Sequence, residues 1–385
     1  MTDTPNPREL LRLLKTRLSE MVSTLERLVR VESPSLEKAP ADKCATLLTQ
    51  EWKKRGCQVE RIAQKHRGDQ IRVTWWPHKS RPAGQLFVLG HYDTVYSTGT
   101  LASMPFRVRG GKAYGPGIFD MKAGIVQALY AFEILHQMNA PLRKRLLFLW
   151  TSDEEIGSDA SRKIIETEAR RSDAVFVLEP SLGPKGLLKT VRKGVGEAEL
   201  IVHGRASHAG LAPEEGINAI HELARQLQRV QEWNDLRRGV SINADIIEGG
   251  TRVNVIAEHA RATLDLRALR VADMRGLERR LHALRPILPG ARLEIRGGFN
   301  RQPLERKSSA ALFTKAKSLA AQMGLPLGEC TAGGGSDGNL TAAVGTPTLD
   351  GLGAVGHGAH SADEHIVVKT MPARAALLAA LLLSA

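Results

Sequence analysis

The chain has 385 residues, 42% hydrophobic and 25% charged, which is ordinary for a water-soluble protein with two domains and at least one large core. Its formal net charge is +13, but Lys and Arg are scattered and aromatics make up only 4%, so there is no basic-aromatic platform for nucleic acid. The charge reads as a basic surface or as an attraction for anionic small molecules. The three cysteines, Cys44, Cys57 and Cys330, lack CxxC spacing; this argues against a disulfide framework and a thiolate zinc site, and fits a reducing cytoplasm.

The opening stretch "MTDTPNPRELLRLL" is polar and then amphipathic, without the apolar core of a signal peptide. Helical periodicity runs over 8–31 and 41–56. "QVERIAQ", "QIRVTWW" and "GQLFVLG" predict strands, "MKAGIVQALYAFEILHQM" a helix, "KRLLFLWTS" a strand, "SRKIIETEARR" a helix and "AVFVLEP" another strand. Strands alternating with helices predict an α/β domain with a mainly parallel sheet. From about 190 to 299 the order changes to strand, helix, strand, strand, helix, strand, the ferredoxin-like β-α-β-β-α-β arrangement. A helix near 308–323, a glycine-rich "TAGGGSDGN" and an apolar "ARAALLAALLLSA" then resume the first pattern. The expected organisation is therefore one domain from 1–189 and 300–385, with a second, 190–299, inserted into it. The last apolar stretch is too short for a membrane span and is expected to be a buried helix, so no membrane partner is expected.

The chemistry-bearing residues sit where these strands end. "LGHYDTVY" places His91 and Asp93 at the exit of an apolar strand, where alternation turns residues i and i+2 to one face. Open α/β sheets keep their ligands at that carboxyl edge. "AYGPGIFDMKAG" puts Asp120 at a strand-to-helix junction, "TSDEEIGS" offers Glu154 and Glu155, "FVLEP" ends in Glu179 and "GHGAHSADEHI" holds His360. Each motif alone reads as a solvated loop or a helix cap. All of them in order, at strand exits or in Gly-rich loops, can gather two imidazoles and several carboxylates. Such ligands, without thiolates, suit zinc, and also cobalt or manganese. Two neighbouring metals need one bridging carboxylate, further ligands for each ion and a base for the water between them. Adjacent glutamates suit that need: one ligates while its neighbour accepts a proton.

The ordered motifs "GHYDTV", "GPGIFDMKAG", "TSDEEIGS", "LEP", "GRASHAG" and "GHGAHSADE" resemble the dinuclear zinc exopeptidase family that contains glutamate carboxypeptidases, aminoacylases, acetylornithine deacetylases and succinyl-diaminopimelate desuccinylases. The resemblance covers nearly the whole chain. It implies two Zn²⁺ per chain, one held by His91 and Glu179, the other by Glu155 and His360, with Asp120 bridging them. It further implies that Asp93 orients the His91 ring, that Glu154 is the general base and then acid, and that a cis peptide follows Asp120. Asp363 and Glu364 would support the site near His360. His208, in "GRASHAG", matches a lid histidine that stabilises an oxyanion, and the inserted domain would serve as lid and homodimer surface.

Glu179, "RVNVIAEHARATLDLRAL" and "GGFNRQPLE" resemble the glutamate carboxypeptidase pattern most closely, whereas Met121 after Asp120 departs from it. The expected reaction is hydrolysis of an amide beside a free C-terminal carboxylate, most often of glutamate. N-acyl amino acid deacylation by the same machinery is the alternative. A non-catalytic binding paralogue is disfavoured by the presence of Glu154. A planar guanidinium grips a carboxylate through two parallel hydrogen bonds. Arg267 in "LDLRAL" and Arg301 in "GGFNRQP" are the candidates for that grip, with Asn254 in "RVNVI" as an added amide donor.

Overall fold

The computed structural model describes residues 5–76 and 82–384. The chain divides into two compact units. The first comprises Met1–Thr190, Arg306–Ala332 and Ser336–Ala385; the second comprises Val191–Glu305 with Gly333–Gly335.

The first unit is built on a six-stranded sheet in the order Gln58–Ile62, Gln70–Trp75, Arg145–Thr151, Gln85–His91, Ala174–Val177, Thr348–Leu349. The four strands from Arg145–Thr151 to Thr348–Leu349 run parallel, and the two at the other side are antiparallel. Gln85–His91 is buried along its whole length, as its unbroken apolar run requires of a strand covered on both faces. Its register pairs His91 with Thr151 and Leu89 with Val177. Three parallel strands therefore end side by side, and the residues that follow each one emerge at a common edge.

The helix Ala123–Gln137 is almost entirely buried and packs with the C-terminal helix Met371–Ser384, whose leucines and alanines belong to the same core. Trp52, Phe132, Phe148 and Trp150 form an aromatic cluster there, with Trp52 and Phe148 centroids 4.4 Å apart. The helix expected over 8–31 is two helices, Pro7–Thr16 and Leu18–Val29. The break falls at Arg17, whose backbone (φ −95°, ψ 4°) leaves the helical region. Its guanidinium pairs with Glu133 of the buried helix, an interaction between distant segments that periodicity does not report. The helix expected from 121 begins at Ala123 because Asp120 and Met121 have non-helical dihedrals, and the Asp120–Met121 peptide is cis.

In the second unit, strands Gly194–His203, Ser241–Gly249, His259–Ala268 and Arg292–Arg301 form an antiparallel sheet, with helices Ala219–Gln231 and Val271–His282 between them in sequence. The spatial order places Ser241–Gly249 at one edge and Arg292–Arg301 at the other. The unit extends past 299 because Arg301 still pairs with Val195 and Arg192 pairs with Leu304. Its core is separate, formed by residues such as Leu200, Leu223, Leu264 and Leu277.

Arg374 of the C-terminal helix is 6% exposed and donates only to backbone carbonyls: Gly353 at 2.8 Å, Leu352 at 3.3 Å, Gly186 at 3.1 Å, and Gly351. Burial pulls its pKa down to about 10, so it stays charged at neutral pH. A buried acceptor left unsatisfied costs about 1–3 kcal/mol. Arg374→Met is therefore expected to destabilise the protein by about 3 kcal/mol or more, measured by urea denaturation, and Arg374→Lys to recover little, because one ammonium cannot reach the same set of carbonyls.

Candidate metal centre

The common edge of the parallel strands carries the site. His91 is the last residue of its strand, Glu154 and Glu155 follow Arg145–Thr151, and Glu179 lies two residues beyond Ala174–Val177. Asp120 enters from the turn before the buried helix, and His360 from a loop near the C-terminus, where its φ is +62°.

Two groups of three result, and they share Asp120. His91 Nε2 lies 3.2 Å from Asp120 Oδ1 and 3.3 Å from Glu179 Oε1. His360 Nε2 lies 3.5 Å from Asp120 Oδ2 and 3.1 Å from Glu155 Oε2. Each Asp120 oxygen thus faces a different imidazole. The His91 ring is buried, while His360 is half exposed, so the two groups differ in their access to solvent.

Asp93 is wholly buried and organises one side of this arrangement. Its carboxylate accepts from Ser35 Oγ at 2.7 Å and from the backbone N–H groups of Glu154 and Glu155 at 3.3 Å each. His91 Nδ1 lies 3.1 Å from the Asp93 carbonyl oxygen and 3.4 Å from its carboxylate. Acceptors stand at both ring nitrogens, and those at Nδ1 favour a hydrogen there, the tautomer that frees Nε2 for a cation held with Asp120 and Glu179. One residue therefore sets both the tautomer of His91 and the path of the Glu154–Glu155 backbone.

Glu364 organises the other side. Its buried carboxylate accepts from the backbone N–H of Gly117 at 3.0 Å, Phe119 at 2.7 Å and Asp120 at 3.0 Å. Gly117 adopts φ +66°, a left-handed conformation suited to glycine. Asp363 is exposed, and its carbonyl accepts from His365 Nδ1 at 2.7 Å. Met121 is buried, and its sulfur receives the His91 N–H at 3.4 Å. The residue that departs from the resemblance is thus packed under the site.

The electrostatics are those of crowded carboxylates. Burial pushes the Glu155 carboxyl up to about 7, against the opposing hydrogen bond from His360. Hydrogen bonds to Asp120 and Glu155 raise His360 to about 10. Burial disfavours a charge on His91, yet Asp120, Asp93 and Glu179 outweigh it and raise its pKa well above the ordinary value. Burial opposes ionisation of Asp120 as well, but His360 and His91 hold it low. Both rings therefore favour positive charge between their Nε2 atoms and the carboxylates. A divalent cation supplies that charge, and the donor set of imidazole nitrogens and carboxylate oxygens fits one in each group.

The comparisons with known proteins bear on this geometry. Residues 87–384 match the family model described as peptidase family M20/M25/M40. The chain belongs to that family. It is therefore a metal-dependent hydrolase of the metallopeptidase and amidohydrolase kind. The chain is 32% identical to carboxypeptidase G2 of Pseudomonas sp. (strain RS-16) over 94% of its own length and 88% of that protein's. It is 30% identical to a succinyl-diaminopimelate desuccinylase of Paraburkholderia xenovorans (strain LB400), over 74% of this chain and 79% of the other. Among solved structures, aminopeptidase PepT from Bacillus cereus ATCC 10987 superposes with a TM-score of 0.78 over 95% of this chain and 98% of that one, at 22% identity, which speaks to the fold.

Of the residues singled out from sequence, His91, Asp93, Asp120, Glu154, Glu155, Glu179 and His360 all belong to the first unit, and Asp120 links the two groups of three. His208, Asn254, Arg267 and Arg301 belong to the second. His208 Nδ1 accepts from the backbone N–H of Gly210 and Leu211 at 3.1 Å each, so its ring hydrogen sits on Nε2. The exposed Asn254 lies beside it, its carbonyl accepting from Ala209 N. Arg267 is engaged by Asp265 through Nε at 2.8 Å and Nη2 at 2.6 Å, while Arg301 is 8% exposed. The sequence reading missed Ser35, which fixes Asp93 from a loop without any motif, and Tyr96, whose hydroxyl donates to the Ser361 carbonyl at 3.0 Å.

No described helix is long and apolar enough to cross a membrane. A ligand that binds only the folded state stabilises it by about 4 kcal/mol at a thousandfold excess over its dissociation constant. Zinc added to chelator-treated protein is therefore expected to raise the melting temperature by several degrees. His91→Ala is expected to remove much of that gain, so that its melting temperatures with and without zinc differ far less than those of the wild type. Calorimetric melting with and without zinc checks both.

Proposed function

We propose that the protein is a dinuclear zinc hydrolase of the carboxypeptidase G type, cleaving the amide bond of N-acyl amino acids or peptides that end in a free carboxylate, most often glutamate. The observation that carries this reading is the pair of imidazole–carboxylate groups sharing Asp120. Its similarity to carboxypeptidase G2 over nearly the whole chain supports the substrate class. In this reading His91 and Glu179 hold one Zn²⁺, Glu155 and His360 the other, and Asp120 serves both; Co²⁺ or Mn²⁺ would also suit the donors.

The metals supply a Lewis-acid surface and a lowered pKa for water. The residues do the rest. Glu154, held beside the site by its N–H bond to Asp93, takes a proton from the attacking water and later delivers it to the leaving amine. Asp93 keeps His91 in the tautomer a metal ligand requires. The second unit is read as a ferredoxin-like lid and His208, through Nε2–H, as its donor to an oxyanion. Because Gly210 and Leu211 occupy Nδ1, His208 acts as a donor and not as a base. Arg267 and Arg301 are the candidates for gripping the substrate carboxylate, aided by Asn254, and Arg267 already meets Asp265.

The desuccinylase similarity favours a second reading, N-acyl amino acid deacylation, which uses the same machinery with tighter recognition of the acyl side. We also infer a homodimer through the lid. The strand Ser241–Gly249 is an uncovered sheet edge that exposes Ile246 and Ile247 at 57% and 61%, an arrangement that isolated proteins avoid. Sedimentation showing only monomers at micromolar concentration would refute it.

Two enzymological outcomes are expected. Glu154→Gln should lower kcat about a hundredfold or more while keeping full metal content, because it removes the base and not a ligand. Near wild-type turnover would show that the base lies elsewhere. Wild type should cleave an acyl-glutamate much faster than its α-carboxamide, and Arg301→Lys should raise KM for the acyl-glutamate about tenfold, since a charge-assisted hydrogen bond contributes about 1.5–3 kcal/mol. Equal cleavage of the two substrates by wild type would replace the carboxypeptidase reading with general amide hydrolysis.

A further inference from the structure

The groups that contact Asp120 and the His360 loop include two that have no part in the chemistry described above, Tyr96 and Glu364. Tyr96 lies five residues after His91 in "GHYDTVY" and is half-buried. Its hydroxyl donates to the carbonyl of Ser361, the residue next to His360. Glu364 lies three residues further along the same loop. Glu364 in turn accepts the N–H groups of Gly117, Phe119 and Asp120. Through the loop that carries His360, these hydrogen bonds join that loop to two other segments: the stretch after His91, by way of Tyr96, and the turn that carries Asp120, by way of Glu364.

The loop needs such a tie. His360 is half exposed and adopts φ +62° in the turn between the paired segments Gly356–His357 and His365–Val367, and the turn's backbone bonds, Ser361 N–H to Gly358 and Glu364 N–H to Ser361, are made by its neighbours. By contrast, His91 closes a fully buried strand, and Glu179 follows another buried strand directly. One group of three is fixed by the sheet; the other depends on a loop.

We propose that Tyr96 and Glu364 are positioning residues with separable tasks: Glu364 fixes the Asp120 turn and so supports both metal positions, whereas Tyr96 fixes the His360 loop and so supports only the position formed by Asp120, Glu155 and His360. This inference rests on the dinuclear reading and deepens it. Residues that orient metal ligands typically contribute about 10–100-fold to metal affinity. A tie acting on one ligand of one position affects that position alone.

The test is stepwise titration of metal-free protein with cobalt(II), followed by calorimetry and by the visible absorption of the bound ion. Wild type should take up two ions. Tyr96→Phe, which removes one hydroxyl and keeps the ring, should leave the first binding step within twofold of wild type and weaken the second about tenfold or more. It should also leave the melting temperature of the metal-free protein unchanged. Glu364→Gln, in which an amide NH₂ meets backbone N–H groups that need an acceptor, should weaken both steps. Tyr96→Phe binding both ions as wild type does, or losing affinity equally at both steps, overturns the proposal, and so does Glu364→Gln that binds both ions normally. Should Glu364→Gln fail to fold, the Tyr96→Phe titration decides alone. Wild type that binds only one ion overturns the dinuclear reading and this inference together, whereas two ions in wild type with an indifferent Tyr96→Phe overturn this inference only.

Discussion

Asp120 is the residue on which the centre turns. Its two oxygens face two different imidazoles, and each imidazole is also met by a glutamate. Carboxylates brought this close in a low-dielectric setting repel one another, and burial alone pushes Glu155 toward its neutral form. Such a cluster is stable only with compensating positive charge. The surrounding fold supplies the geometry, and imidazolium charge or a bound cation supplies the compensation.

The geometry comes from two carboxylates outside the two groups of three. Asp93 collects a serine hydroxyl and two backbone N–H groups; Glu364 collects three backbone N–H groups. Hydrogen bonds from amides to an ionised carboxylate are among the stronger ones in a protein interior. Here they convert two loops, which on their own would sample many conformations, into rigid mounts. Parallel strands bring the loops to one edge, and these buried acids fix the final few ångströms.

Much of the arrangement was legible in the sequence because it follows from short-range rules. An unbroken apolar run predicts a buried strand, and Gln85–His91 is buried throughout. Parallel strands present their following residues at one edge, and this gathers His91, Glu155 and Glu179. The element order strand, helix, strand, strand, helix, strand in the second unit was equally readable from its changing periodicity. What escaped were interactions between distant segments. Arg17, where the helix breaks, pairs with Glu133, 116 residues away. Ser35 reaches Asp93 from 58 residues away and carries no pattern of its own. Arg267 looked available for a substrate carboxylate, yet Asp265, its neighbour on the same face of the strand, occupies it. The i, i+2 spacing of that pair was visible, and it was the one local signal that was underweighted.

The bond between Glu364 and the backbone of Asp120 spans 244 residues of chain. This separation gives the two halves of the centre different histories during synthesis. His91, Asp120 and Glu179 are all present once the first half of the chain has been made, whereas the partner group lacks His360 and the brace of Glu364 until translation has nearly ended. Contacts of such long range carry a large loop-closure entropy and form late in folding. A ribosome-bound chain can thus present the elements of one metal position while the other does not yet exist. The order in which the two groups of three can be completed follows from where their residues fall along the chain.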